Sequence, residues 1–188
     1  MTVRVLTEDP RGIRTLELLD AFTPRDARDQ QELVRMQELL ATTAQPFSRD
    51  QYDPGHFTAS ALVVSRTHER VLLISHPTLH LWLQPGGHID PEDREPSAGA
   101  AREILEETGI TATLGDEVFD IDIHEIPARR AAPAHRHFDL RFLASVDGLP
   151  APGGLEGVDA RWLDPREAVA LSTDASVHRM VRRAFAAT

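Results

Sequence analysis

The 188-residue sequence contains no cysteine, and its 20 basic residues are all arginine, so lysine is absent as well. Without cysteine the chain can form no disulfide, no thiolate zinc site and no cysteine nucleophile. No stretch approaches the roughly 20 apolar residues that a membrane-spanning helix needs. The first residues, MTVRVLTEDPRG, contain no apolar signal-peptide core. We therefore expect a cytoplasmic protein with no membrane partner.

The charge balance is acidic, with 30 acidic and 20 basic residues and a formal net charge of −10. Phosphate contacts need a basic surface, so we expect no nucleic-acid partner. If the substrate carries phosphate, a bound cation is the means that would attract it. The hydrophobic fraction of 41% is spread along the chain and is sufficient for the core of a globular domain.

Hydrophobic periodicity divides the chain into a helical beginning and a mixed remainder. Residues 9–43 have helical spacing, interrupted at Pro24. Alternating or continuous apolar runs predict strands, beginning with a hairpin, and helices are interspersed among them. We therefore predict an α+β fold with an N-terminal helical extension at 1–52, acting as a lid or dimer element, and a catalytic domain at 53–188. The predicted strands are 57–65, 70–76, 81–84, 117–126, 137–146 and 158–163, and the later helices are 97–108 and one at the C-terminus.

The segment with the clearest chemistry begins at Gly86-Gly87-His88 and continues into the predicted helix at Arg102-Glu103-Ile104-Leu105-Glu106-Glu107. A helix turns about 100° per residue, so its three glutamates share one face within about 100° of arc. Such carboxylates repel one another unless a cation lies among them. Oxygen ligands suit a hard cation, here Mg²⁺ or Mn²⁺.

A glutamate-rich helix face can also be simply solvated, and for this helix alone that interpretation is the simpler one. The flanking residues favour a site, because a strand leads into a Pro-Gly-Gly turn and Gly109 ends the helix. On the opposite side of the helix the apolar residues Ala98, Ala101 and Leu105 predict the inward-packing face.

Residues 102–110 match every defined position in the second half of the Nudix box, and the chain thus resembles the Nudix hydrolase (MutT-like) family. The box region lies at 86–110, and the resemblance extends over about residues 56–170. It implies an α/β/α sandwich with a mixed sheet. The first half departs from the pattern by one extra residue, which places Arg94 where the box has its first glutamate. Glu92 or Glu95 is a candidate replacement.

Roles follow from the resemblance residue by residue. It implies that Glu106 and Glu107 are direct metal ligands and that the Gly86 carbonyl is a backbone ligand. Glu103 resembles a ligand, direct or through water, and is a candidate general base. Arg102 resembles the residue that orients the catalytic glutamates. The reaction implied is attack by water on a phosphorus of a pyrophosphate, aided by metal and by a carboxylate that accepts the proton.

A second acidic candidate, Glu156, lies in the Gly/Pro-rich loop 149–157, near the position where family members often carry a metal-reaching or basic carboxylate. His88 follows the Gly-Gly pair and is a candidate phosphate contact. Along 135–142, His137 and Asp139 share a polar face that could line a substrate cleft. A His/Asp metal site and a plain solvent face are the alternatives for this polar face, which Asp120, Asp122 and His124 could oppose.

The predicted function is metal-dependent hydrolysis of a phosphoanhydride bond in a small nucleotide substrate, a nucleoside diphosphate linked to another moiety. ADP-ribose and other nucleotide sugars, dinucleotides and nucleoside triphosphates all remain candidates, and a homodimer is one expectation. One alternative is a nucleotide-sensing Nudix module without turnover. Isopentenyl-diphosphate isomerase is disfavoured, because the resemblance implies a cysteine for that chemistry and the chain has none.

Overall fold

The computed structural model describes residues 6–76, 80–129, 132–154, 158–171 and 174–185. These residues form five helices and seven strands. In chain order they are α1 (Pro10–Ala21), α2 (Ala27–Thr42), β1 (His56–Ser65), β2 (Val71–Ser75), β3 (Trp82–Leu83), β4 (Gly86–His88), α3 (Pro96–Thr108), β5 (Thr113–Ile126), β6 (His135–Val146), β7 (Ala160–Leu163), α4 (Pro165–Ala170) and α5 (Ala175–Phe185).

The α+β fold class is confirmed by a seven-stranded sheet with strand order β3-β2-β1-β6-β5 combined with helices. Strand β4 pairs with β1, and β7 pairs with β2. The predicted hairpin is present, with β1 and β2 antiparallel and Val63 opposite Leu72. Two elements were not predicted: the Gly-Gly segment forms the short strand β4 instead of a turn only, and Asp164 starts the short helix α4 with a capping box.

The chain divides into two compact units, of which the first contains residues up to 59, 87–99 and 116–141. Helices α1 and α2 belong to this unit and contact each other. Asp9 and Asp26 cap their N-termini by accepting backbone N–H groups. Arginines of the two helices and of the segment between them also donate to backbone carbonyls of the same unit: Arg11 to Asp90 at 2.6 Å, Arg25 to Phe119 at 2.8 Å and Arg28 to Ile121 at 3.1 Å.

The second unit contains residues 60–86, 100–115 and 142 to the end. In it β7 lies antiparallel to β2, with Leu72 opposite Trp162. The apolar residues of β2 from Val71 to Ile74 are fully buried, as expected of a strand whose sequence is continuously apolar. Helices α4 and α5 contact each other in the same unit. Across the part of the chain that the structure describes, no helix is long and apolar enough to cross a membrane.

Helical structure at 9–43 is confirmed, and its apolar side chains are buried within the protein. Those below 9% exposure are Leu18, Leu19, Phe22, Leu33, Met36, Leu39 and Leu40. The large apolar residues that α1 and α2 leave exposed are Ile13 and Val34, at 64% and 43%. The domain boundary at residue 52 and the lid or dimer role of the extension stay predictions.

If α1 and α2 are integral to the first unit, Met36→Ala should lower the free energy of unfolding by about 2–5 kcal/mol, because a fully buried side chain is removed. Val34→Ala on the same helix is the matched control and should change it by less than about 1 kcal/mol. Urea unfolding followed by circular dichroism measures both. Equal, small effects would show instead that the extension docks loosely, as a separate lid would.

Candidate functional site

Helix α3 carries the three predicted metal-binding carboxylates in the second unit, and their exposure is graded. Glu107 is 9% exposed as a residue, whereas the side chains of Glu103 and Glu106 are 15% and 39% exposed. The group thus runs from the buried face of the helix to its surface. A cation would meet one anchored carboxylate and two more accessible ones.

Arg102 holds two of these carboxylates together. Its Nη1 atom lies 3.0 Å from Oε1 of Glu103 and 2.9 Å from Oε2 of Glu106. Charge-assisted hydrogen bonds of this kind offset the repulsion between like charges one turn apart. The orienting role that the resemblance implies for Arg102 is consistent with this contact and stays a prediction.

Glu107 is anchored differently, by the backbone of the Gly-Gly segment. The Gly86 N–H donates to Oε2 of Glu107 at 3.0 Å. This hydrogen bond joins β4 to the last turn of α3 and brings Gly86 next to a predicted ligand. The predicted ligand set of Gly86, Glu103, Glu106 and Glu107 therefore lies within one unit, and the coordination by the Gly86 carbonyl stays a prediction.

The end of α3 is defined by Gly109, which has a positive φ of 69° that favours glycine. Close packing adds a second requirement, because a Cβ at Gly109 would lie 2.8 Å from the Gly153 carbonyl oxygen. The Gly153 N–H donates to the Thr108 carbonyl at 2.8 Å, so the loop before β7 is held against the helix end. Glu156, the predicted alternative base in this loop, lies outside the described residues.

The prediction that Ala98, Ala101 and Leu105 form the inward face of α3 is wrong for Ala101 and Leu105, whereas Ala98 is partly buried. Ala101 is exposed and Leu105 is 46% exposed, whereas Ala100 and Ile104 are fully buried. The buried stripe is rotated by one residue, and it brings Glu107 to the edge of the core. Burial of Ile104 together with the small Ala100 side chain orients the helix.

The loop with the extra residue, before α3, does not give a clear substitute for the first glutamate of the box. Glu92 and Arg94 are exposed. Glu95 accepts a hydrogen bond from Nε of Arg14 at 3.1 Å within the first unit. The carboxylate with a structural role here is Asp93, which is buried and accepts the Asp90 N–H at 2.7 Å.

Five histidines lie close together in the first unit, and the ring nitrogens of three of them, His56, His88 and His137, converge. The ring centroid of His56, at the start of β1, lies 5.2 Å from that of His88 and 4.9 Å from that of His137. The centroids of His88 and His137 are 5.3 Å apart. His88 and His137 were predicted to bind substrate, and that role stays a prediction. His56 was missed, and the available signal was a polar ring at the head of an apolar strand, directly after a Pro-Gly turn.

Burial keeps these imidazoles neutral. Loss of solvation, followed by the nearby Arg49 charge, lowers the pKa of His88 to about 4. Burial, followed by the other histidines, lowers the pKa of His137 to about 2. The pKa of His56 is likewise lowered, mainly by burial. At neutral pH all three rings therefore present lone pairs that can accept hydrogen bonds or bind a metal.

Gly55 allows His56 to reach β6. Its φ is 138°, and a Cβ at this position would lie 2.0 Å from the Arg136 carbonyl oxygen. Only glycine fits such a close approach of two backbones. The approach places His56 beside the segment that carries His137.

Asp139, the third predicted substrate-binding residue, is buried in an ion-pair cluster of the first unit. One of its oxygens accepts from Thr58 Oγ1 at 3.0 Å, and the other accepts from Nε of Arg141 at 2.8 Å. Arg141 also lies 3.2 Å from Asp122 and 3.6 Å from Asp120, so the expected opposition of these polar faces is confirmed. Asp139 thus has two internal partners, and its contact with substrate stays a prediction.

Two donor sets in the described residues could hold metal ions. The α3 set offers carboxylate oxygens, and Arg102 lies between two of them. Within the described ranges, only the three histidines form a set of His, Asp or Glu residues whose ligand atoms all lie within 4.8 Å of one another. The carboxylate set therefore needs side-chain rearrangement around a cation, whereas the histidine set is already convergent.

Comparison with known proteins identifies the family to which the chain is similar. A family model described as the NUDIX domain matches residues 55–185. A protein of Lactococcus lactis subsp. cremoris named as a DHNTP pyrophosphohydrolase is 29% identical over 124 residues, which is 64% of this chain and 72% of that relative. A Bacillus subtilis protein named as an 8-oxo-dGTP diphosphatase is 31% identical over 105 residues, or 55% of this chain and 64% of that relative, just under two thirds of its length.

A solved structure agrees in fold. The E. coli dihydroneopterin triphosphate pyrophosphohydrolase superposes with a TM-score of 0.56, covering 68% of this chain and 92% of that chain. Its sequence identity is 17%, so the likeness concerns the fold alone.

The close approach at Gly55 can be tested by Gly55→Ala, which should lower the free energy of unfolding by about 2 kcal/mol or more through steric clash and backbone strain. Gly153→Ala is the matched control, because a Cβ there would meet nothing within 4 Å. It should change stability by less than about 1 kcal/mol. Thermal or urea unfolding compares the two, and equal stability would contradict the contact between Gly55 and β6.

Proposed function

The chain belongs to the Nudix family and is a hydrolase of pyrophosphate bonds, and we propose that this hydrolysis requires Mg²⁺ or Mn²⁺ and that Glu103, Glu106 and Glu107 hold the ion. The observation that carries the proposal is the assembly of the box residues in one place. Arg102 bridges two of the glutamates, and the Gly86 N–H fixes the third.

The donor chemistry fits the ion. Carboxylate oxygens suit hard divalent cations, and a group of carboxylates on one helix face gains stability when a dication neutralises their repulsion. Glu107 supports the assignment most directly, because it is a buried carboxylate already oriented by a backbone donor. When bound, the ion would stabilise negative charge on the phosphate oxygens and make an attacking water more acidic.

The reaction breaks one phosphoanhydride bond. A water oxygen attacks one phosphorus, the bond from that phosphorus to the bridging oxygen breaks, and the leaving phosphate departs with the bridging oxygen. We assign Glu103 as the group that accepts the proton of the water, because α3 holds it rigidly one turn from Glu107. Arg102 positions Glu103 through the 3.0 Å contact.

The substrate class that we propose is a small nucleotide-like molecule containing a diphosphate linked to another group. The names of the two relatives, a pyrophosphohydrolase and a diphosphatase, support a triphosphate in which that other group is a further phosphate. Nucleotide sugars and dinucleotides are the other candidates. The cytoplasmic location and the homodimer stay predictions.

A panel of substrates would identify the class. Nucleoside and deoxynucleoside triphosphates, 8-oxo-dGTP, dihydroneopterin triphosphate, ADP-ribose and a dinucleoside polyphosphate would each be incubated with Mg²⁺ or Mn²⁺. Chromatographic separation of the products, together with assays of released phosphate and pyrophosphate, distinguishes which bond is cleaved. Binding of these nucleotides without turnover of any of them would favour the sensing module over the hydrolase.

Glu106→Gln and Glu107→Gln should each lower kcat by at least ~100-fold, because each removes a ligand charge while keeping the side-chain shape. Removal of divalent metal with EDTA should abolish turnover of the wild-type protein. Glu38→Gln, at an exposed position of α2, is the matched control and should retain full activity. Turnover near the wild-type rate in both α3 variants would reject the metal assignment.

The choice between the two candidate bases gives a separate prediction. The kcat of Glu103→Gln should be lower than that of Glu156→Gln by about tenfold or more, because Glu103 is already positioned by a helix. The measurement is kcat at saturating Mg²⁺, with a Mg²⁺ titration for each variant. If Glu103 acts mainly as the base, metal affinity is retained in Glu103→Gln; if it acts mainly as a metal ligand, metal affinity falls as well. A larger loss of kcat in Glu156→Gln would place the base on the loop instead.

A further inference from the structure

One buried nitrogen of the first unit has a lone pair that no group among the described residues satisfies. His56 is fully buried, and its Nδ1 lies 3.1 Å from the Gln51 carbonyl oxygen. A carbonyl can only accept, so Nδ1 carries the proton and Nε2 carries the lone pair. In the described structure Nε2 is buried without a hydrogen-bond partner. Buried polar atoms are nearly always satisfied, so an orphaned one points to a ligand.

The surroundings of that nitrogen point to a metal ion. We propose that His56, His88 and His137 form a second metal site, which binds one Zn²⁺-type transition-metal ion through three imidazole nitrogens. One ligand nitrogen from each ring already lies within 4.8 Å of the other two. Nitrogens around a tetrahedral zinc ion are about 3.3 Å apart, given Zn–N distances near 2.0–2.1 Å. Side-chain rotations of the half-buried His88 and His137 can shorten the distances between the nitrogens to this value.

The hydrogen bond at His56 is of the kind that metal-binding histidines make. Such residues usually donate their second ring N–H to a carbonyl or carboxylate, which fixes the tautomer and aims the other nitrogen at the metal. The Gln51 carbonyl does this for His56. Gly55 supports the same geometry, because its close approach to Arg136 holds His56 beside the segment of His137.

The chemistry of the donors separates this site from the α3 carboxylates. Three neutral imidazoles favour Zn²⁺, Co²⁺ or Ni²⁺, whereas carboxylate oxygens favour Mg²⁺ or Mn²⁺. Three protein ligands leave a fourth position for a ligand from solution. The proposal rests on the histidines alone and does not depend on the function proposed above.

A competing role for the same residues is direct hydrogen bonding of His88 and His137 to a substrate phosphate. That role requires no transition metal. The two alternatives therefore differ in whether the protein binds a transition-metal ion when no substrate is present.

The test uses Co²⁺, whose visible absorption is strong in a nitrogen-ligated site of low coordination number and weak in an all-oxygen site. The full chain, stripped of metal, would be titrated with Co²⁺ in the presence of excess Mg²⁺ to saturate carboxylate sites. We expect strong absorption that saturates at one Co²⁺ per chain and disappears when one equivalent of Zn²⁺ is added. Absence of this absorption under these conditions would overturn the proposal.

Variants identify the ligands. His88→Gln and His137→Gln should each weaken Co²⁺ binding by ~100-fold or more, since each removes one of three ligands. These two residues are partly exposed, so their variants are better suited than those of the fully buried His56. Circular dichroism would confirm that each variant is folded. Unchanged Co²⁺ affinity in both variants would overturn the assignment.

Two controls separate this result from neighbouring histidines and from the carboxylates. His135→Gln removes a ring that contacts His56 at 5.2 Å but lies outside the set of three, and it should retain the absorption. Loss of binding as large as in His88→Gln would contradict the three-histidine set. Glu107→Gln should retain Co²⁺ binding while losing turnover, so failure of one proposal is distinguishable from failure of the other.

Discussion

Repulsion among the three carboxylates of α3 is the constraint on which the candidate active site depends. Residues 103, 106 and 107 must share a helix face because of the helical turn alone. The protein uses two different means to hold them there, a guanidinium that bridges Glu103 and Glu106 and a backbone N–H that binds Glu107. Because this backbone N–H belongs to Gly86, the position of Glu107 depends on Gly86 as well as on α3. A dication is the third and strongest neutralising element that such a face can acquire.

The features of the fold and the site that local rules control could be predicted from the sequence. Helical periodicity identified α1 and α2, and the Pro and Gly residues at its ends identified α3 within one residue. The shared face of the three glutamates followed from their spacing. The orientation of α3 did not, because Ala98, Ala101 and Leu105 formed an equally apolar pattern. Packing of Ala100 and Ile104 in the assembled core decided which face turned inward.

Long-range contacts explain the rest of what sequence reasoning missed. Alternation along β6 correctly placed Asp139 and Arg141 on one face, and a solvated or substrate-lining face was the natural expectation. Their burial depends on pairing with acidic residues of β5, since a buried charge is tolerated only with partners. His56 is a similar case, because its significance arises from His88 and His137, which lie far from it in sequence. No local pattern encodes such a convergence.

The two donor sets would select different ions by ligand type rather than by net charge. An acidic chain with a net charge of −10 attracts any divalent cation, so attraction alone cannot discriminate. Carboxylate oxygens retain fast-exchanging hard ions, which suits a site that must also admit a charged phosphate substrate. Neutral imidazoles bind softer ions more tightly without adding negative charge. Because Mg²⁺ prefers oxygen ligands, the nitrogen site would not compete with the carboxylates for it.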